Sequence, residues 1–181
     1  MSHLPIWYMG QIPTDVCDAA VREFMAIEPQ QAKMGADGEH EDTTHRDTVL
    51  RFAPDNHWFG GIMYQHGIAG NQATGWGYDI TGHENVQFGL YGPDGHYGWH
   101  MDTFPLCGQP MERKVSVICL MSDPSEYEGG DLEIQLYQDY KVDMQKGQII
   151  AFPSMLQHRV LPIISGIRTS AVIWLNGPRM R

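Results

Sequence analysis

A chain of 181 residues with 42% hydrophobic residues is long enough to bury a core, and its size fits one domain. Its 12 basic and 22 acidic side chains leave a formal charge of -10, which argues against partners held by their phosphates, so neither nucleic acid nor an anionic membrane is expected. Cys17, Cys107 and Cys119 have no metal-knuckle spacing, and there is neither a leader-like start nor an apolar run near the roughly 20 residues of a spanning helix. Free thiols in a soluble, cytoplasmic protein are expected.

Residues Thr14 to Ile27 read as the one clear helix, with Thr14 as its cap and Val16, Ala20, Phe24 and Ile27 on one stripe. Such a stripe packs on a core. From Glu28 to Thr44 the chain is polar, and its run Glu39-His40-Glu41-Asp42 is expected as solvated surface. Arg46 to Phe52 suits a strand, while Trp58 to Gln65 has no decisive pattern. Asn71 to Asp79 and Val86 to Leu90 are expected as extended, separated by turn residues at 81–85.

Beyond residue 102 the strand signals become regular. Val115 to Met121 is apolar on both faces, as a strand buried on both sides would be, and Leu132 to Leu136 alternates. Gln148 to Phe152 and Thr169 to Leu175 follow turn glycines. Short strands at this spacing, after a helix, imply a mostly β sandwich or barrel.

The chemistry gathers on Tyr91 to Phe104. In an extended chain His100 and Asp102 point the same way, so an imidazole and a carboxylate can bind one cation together. Two histidines compete as third ligand. His96 is four residues before His100, but Gly95 and Gly98 argue against the helix that would align them. His158, just after the strand at 148–152, is favoured. Two His and one carboxylate leave positions open on an iron, as in non-haem Fe(II) oxygenases. If 168–175 is a strand, Arg168, Ser170, Val172 and Trp174 share a face, and a buried Arg there needs an anionic partner that its planar fork can grip, such as a dicarboxylic co-substrate.

Taken together, His100-Met101-Asp102, His158, Arg168 ten residues later, Gly129-Gly130-Asp131-Leu132 and Phe152-Pro153-Ser154 resemble the Fe(II)- and 2-oxoglutarate-dependent dioxygenases, in their prolyl 4-hydroxylase-like branch. The resemblance spans about half the chain, from Tyr91 to Trp174. It implies a double-stranded β-helix (jelly-roll) core at about 71–181 behind helical and loop support at about 1–70. It implies Fe(II) held by His100, Asp102 and His158, and 2-oxoglutarate anchored by Arg168 with Ser170, Tyr91 and Trp174. Oxygen would take the last position, with ascorbate as a supporting reductant. Tyr97 and Trp99 are expected to wall the substrate pocket; Tyr97 has the opposite strand parity to His100, so it can face the pocket only if the chain bulges near Gly98.

The implied reaction is hydroxylation with release of succinate and carbon dioxide, on a prolyl residue of a peptide or protein first and on a small molecule such as a free amino acid second. Retention of Asp102 fits hydroxylation, since related halogenases have a small residue at that position. Two other classes compete: a non-catalytic jelly-roll module binding a metal or small acid, which has no need of Arg168 and Ser170, and, last, a hydrolytic zinc site.

Overall fold

The structure is a computed structural model that describes residues 6–31, 42–103 and 110–179; Cys107 and the run Glu39 to Glu41 lie outside them. Two α-helices pack on one face of a large antiparallel sheet, and a smaller sheet covers the other. In spatial order the larger sheet runs β1 (Tyr8–Gln11), β12 (Gln148–Pro153), β8 (Met111–Leu120), β15 (Arg168–Pro178), β6 (Gln87–Tyr91), β4 (Val49–Phe52) and β2 (Gln30–Gln31), with β5 (Gly82–His83) on β15. The smaller runs β11 (Asp139–Val142), β10 (Leu132–Gln135), β13 (His158–Val160), β7 (His96–His100) and β3 (Arg46–Asp47), while β9 (Tyr127–Gly129) pairs with β14 (Ile163–Gly166).

β8 separates two cores, which is why its sequence is apolar without alternation. Val115, Val117 and Cys119 join Phe24, Phe59, Met63 and Ile173 under the helices. Ile118 and Leu120 face the other way, into the space between the sheets with Ile134, Ile150 and Phe152. A strand buried on both faces has no polar side to show.

The first helix, α1 (Thr14–Met25), buries Cys17, Ala20 and Phe24, close to the expected stripe, but its cap is Pro13 and Thr14 is already helical. The N-terminal part is more β-rich than expected, since β1 to β4 all precede residue 70. The stretch Arg46 to Phe52 is two strands divided at Thr48, one in each sheet.

The largest departure is α2 (Trp58–Thr74), which takes in Asn71 to Thr74 where an extended segment was expected. Its glycines hid it. A Cβ on Gly67 would sit 2.6 Å from Leu175 and 2.9 Å from Val117, and one on Gly70 would sit 3.2 Å from Ala151, so here glycine lets the helix backbone lie on the sheet. The helix ends at Gly75 in the left-handed conformation, φ 71°. The Asn71 side chain then pins the loop beyond, bonding both the carbonyl and the N–H of Tyr78 at 2.8 and 3.0 Å.

Candidate active site

The space between the sheets opens into a cavity of about 770 Å³, and the three candidate ligands line it together. His100 ends β7, Asp102 lies two residues beyond and His158 begins β13 directly opposite His100. Asp102 is caught between the rings: its Oδ1 is 3.6 Å from His100 Nε2 and its Oδ2 is 3.4 Å from His158 Nε2. One ligand atom from each of the three lies within 4.8 Å of the others.

The backbone fixes both rings. His100 Nδ1 pairs with the Gly98 carbonyl at 2.8 Å and His158 Nδ1 with the Leu156 carbonyl at 3.0 Å. A carbonyl only accepts, so each Nδ1 carries a proton and each Nε2 is the nitrogen turned toward the centre. His96 is spent elsewhere, on the carbonyls of Asp94 and Thr44. Burial, then the closeness of the second titratable ring, His158, pushes the His100 imidazolium down to about 3, so the His100 ring is neutral and ready to ligate. Burial pushes the Asp102 carboxyl up, but the neighbouring His158 and His100 and the Ser116 hydroxyl outweigh it and hold Asp102 below its usual value.

Ser116 is one of the residues the sequence reasoning missed. Its hydroxyl donates to Asp102 at 2.6 Å and meets the Ser154 hydroxyl at 2.9 Å. The Ser154 carbonyl accepts from the Asp102 and Thr103 amides at 3.0 and 3.1 Å, so Phe152-Pro153-Ser154 clamps the ligand segment from below. The signal was available: Ser116 is a polar residue inside an apolar strand.

Tyr97 reaches the cavity because the ladder slips. His158 opposes His100 but Val160 opposes Tyr97, so β7 spends one residue more than β13 between these pairs, a bulge at Gly98 and Trp99. Tyr97 then stacks on His100, ring centres 3.5 Å apart and 13° from parallel. Gly98 lets the His45 ring lie close against the bulge; a Cβ there would be 2.8 Å from that ring, which would have to move. Trp99 does not line the cavity: it lies under the Arg159 guanidinium, 4.4 Å from its ring centre. Its expected place as a pocket wall is therefore corrected, because a residue next to His100 in a strand points to the other face.

On β15, Arg168, Ser170, Val172 and Trp174 all line the cavity, as their shared parity predicts. Arg168 is 2% exposed and bonds the Ser170 hydroxyl at 3.3 Å. It is paired in register with Tyr91, whose ring centre is 5.6 Å from its guanidinium. Gly129 and Gly130, at φ 80° and 66°, turn the chain against it; a Cβ on Gly130 would stand 2.9 Å from Arg168 Cδ. No described carboxylate comes within ion-pair distance of Arg168. Trp174 lies beneath Arg113 at 3.7 Å, and Glu84 grips that guanidinium at 2.6 Å through two hydrogen bonds.

A second buried cation in the cavity was also missed. Arg46 is 7% exposed, sits over the Tyr97 ring at 4.4 Å, and its Nε has no hydrogen-bond partner. Nothing in the strand-like stretch 46–52 marked it as part of the site.

The family model of the 2OG-Fe(II) oxygenase superfamily matches residues 86–176 of the chain. A PKHD-type hydroxylase from Synechococcus sp. (strain CC9902) is 44% identical over 82 residues, a match covering 44% of this chain and 36% of that relative. One from Crocosphaera subtropica is 35% identical over 94 residues, covering 51% and 42%. The chain thus matches less than half the length of these curated relatives. Among solved structures, a Pseudomonas putida prolyl-4-hydroxylase superposes with a TM-score of 0.74 at 22% identity, over 98% of this chain and 94% of that one. The viral collagen prolyl hydroxylase of Paramecium Bursaria Chlorella virus-1 gives 0.74 at 17%, over 96% and 97%. At these identities the likeness is one of fold.

Proposed function

The chain belongs to the 2OG-Fe(II) oxygenase superfamily, and from that premise we propose that it is a 2-oxoglutarate-dependent dioxygenase that hydroxylates a prolyl residue of a peptide or protein. The observation that carries the reading is Arg168, a guanidinium 2% exposed on the wall of the cavity that holds the ligand triad, with no described carboxylate to neutralise it. Burying such a charge without a counter-ion costs several kcal/mol, about what removing one partner of a buried pair costs, so the position makes sense with an anionic ligand.

The donor set fits Fe(II): two imidazoles that turn Nε2 toward the centre and one carboxylate, with ligand atoms within 4.8 Å of one another. His100, Asp102 and His158 would hold the metal, and Arg168 with Ser170 would take the far carboxylate of 2-oxoglutarate, beside Tyr91. When bound, iron and 2-oxoglutarate with oxygen supply an oxidative decarboxylation that yields succinate, carbon dioxide and a hydroxylated substrate.

The protein's own residues set the geometry. The Ser116 hydroxyl and the Ser154 segment orient Asp102, and the Gly98 and Leu156 carbonyls keep the Nδ1 protons of the two rings away from the metal side. Tyr97 covers His100, while Tyr91, Ile118 and Leu132 line the cavity with carbon that limits the water beside the centre.

A prolyl substrate is suggested by the activity that the solved neighbours of this fold are named for, prolyl hydroxylation. A solved prolyl hydroxylase from Trichoplax adhaerens, in complex with a peptide fragment of a hypoxia inducible factor, also shares the fold, with a TM-score of 0.74 at 14% identity, over 94% of this chain and 83% of that one.

The test is succinate formation from 2-oxoglutarate with Fe(II) and oxygen, followed by mass spectrometry of proline-containing peptide pools for the gain of one oxygen. Succinate with oxygen on proline is the expected result. Absence of succinate under every condition overturns the dioxygenase reading, and oxygen on another residue or on a small molecule overturns the prolyl one.

A further inference from the structure

The cavity has two buried arginines, and the proposed reaction uses one. Arg168 enters from the larger sheet on β15, Arg46 from the smaller on β3. Arg46 is 7% exposed, makes no ion pair with a described carboxylate, and its Nε is buried without a partner. Its contact is the Tyr97 ring, 4.4 Å away, and Tyr97 is itself stacked on the ligand His100. The guanidinium is therefore held one aromatic ring from the metal centre.

The other charges that line the cavity are already matched. Glu84 is bound by Arg113 through two hydrogen bonds, and Glu112 pairs with Lys114. Asp102 belongs to the triad. On the dioxygenase reading, on which this inference rests, the two charges of the metal and that of Arg168 are matched by Asp102 and the two carboxylates of 2-oxoglutarate. The charge of Arg46 is left over. A cation–π contact with Tyr97 offsets part of its desolvation, but it supplies no acceptor for the N–H groups of the fork.

We propose that Arg46 is a specificity residue that receives a carboxylate of the substrate being hydroxylated, so that the enzyme selects a prolyl residue at the carboxyl end of a peptide, with free proline as the smallest probe of that carboxylate site. A carboxylate accepts two parallel hydrogen bonds from the planar fork and neutralises it, whereas an internal peptide carbonyl would leave the charge uncompensated. The contact with Tyr97 serves to aim the fork, and a substrate held there would bring a carbon near its carboxylate to the centre beside His100.

The experiment measures binding, so that it stands apart from turnover. Protein loaded with Zn(II) and 2-oxoglutarate is titrated, by thermal shift and calorimetry, with L-proline and short proline-ended peptides bearing a free carboxylate, and with the same compounds as amides. Free acids are expected to bind at least about tenfold tighter than their amides, the value of a charge-assisted pair. Arg46→Gln should bring that ratio near one, and Arg46→Lys should keep part of it. A purely structural Arg46 would lower the melting temperature of both variants and leave any acid-to-amide ratio unmoved. Equal binding of acid and amide, binding of neither, or a ratio that survives Arg46→Gln overturns the assignment. Succinate formation with Fe(II), measured in parallel, reports on the dioxygenase reading separately.

Discussion

His158 stands directly opposite His100 in the antiparallel pairing of β13 with β7, and the two rings lie 4.1 Å apart, centre to centre. The cross-strand pair is what turns a two-residue motif into a chelating site. The strand ladder fixes the ring positions, the backbone carbonyls fix their tautomers, and Asp102 closes the triangle from the loop beyond β7.

Replacing His100, Asp102 or His158 with Ala should each weaken Fe(II) or Zn(II) binding by more than about a hundredfold, since each loses a direct ligand where loss of an outer-shell partner alone costs roughly 10- to 100-fold. His96→Ala should stay within about twofold of the parent by the same scale. Calorimetric titration with metal decides it. A dead His96→Ala and a competent His158→Ala would reverse the ligand assignment.

Ser116→Ala tests the hydroxyl beneath Asp102. The variant loses the 2.6 Å bond that orients the carboxylate but leaves all three ligands in place. Metal affinity should fall by roughly 10- to 100-fold while the circular dichroism spectrum is unchanged. Wild-type affinity in this variant would mean that Ser154 and the backbone alone hold Asp102.

Arg168→Ala should chiefly raise the concentration of 2-oxoglutarate needed for half-maximal succinate formation, by roughly tenfold to a hundredfold, with Arg168→Lys intermediate. The same order should appear in direct 2-oxoglutarate binding to Zn(II)-loaded protein. An unchanged requirement removes Arg168 from that role, whatever happens to the maximal rate.

The metal-free protein should lose stability on the acid side of neutrality. His100 titrates near 6.5 when unfolded and near 3 when folded, so between these values the unfolded chain binds the extra proton and unfolding is favoured as pH falls. Asp102, also depressed, adds to the loss in its own range, below about pH 4. Urea denaturation at pH 7, 6 and 5 should show midpoints falling with pH, His100 contributing at most about 1.4 kcal/mol per pH unit below 6.5. His100→Gln should flatten the trend. A midpoint that is level or rises toward pH 5 would contradict the burial of a neutral imidazole.

Much of the site was legible because its residues obey strand parity. His100 with Asp102, and Arg168 with Ser170, Val172 and Trp174, can be assigned to common faces by counting in twos, and the cavity lining agrees. Trp99 fell to the same rule, which its assignment as a pocket wall had ignored. The helix α2 was not legible because Gly67 and Gly70 read as breakers until the sheet they touch is known. Arg46 was not legible because only the pairing of β3 with β7 brings it to Tyr97.

Local pattern alone therefore determined the β character of the chain, the doubly buried strand at 115–121 and the pairs of residues able to act together on one strand. Pairing across strands, and its one-residue slip at Gly98, decided the rest. It brought His158 to His100, turned Tyr97 inward and left two arginines buried around one cavity with no ion pair to a described carboxylate. Side-chain direction within a strand follows from a period of two, which a sequence displays. Which strand lies beside which follows from burial summed over the whole chain, which only the folded structure expresses.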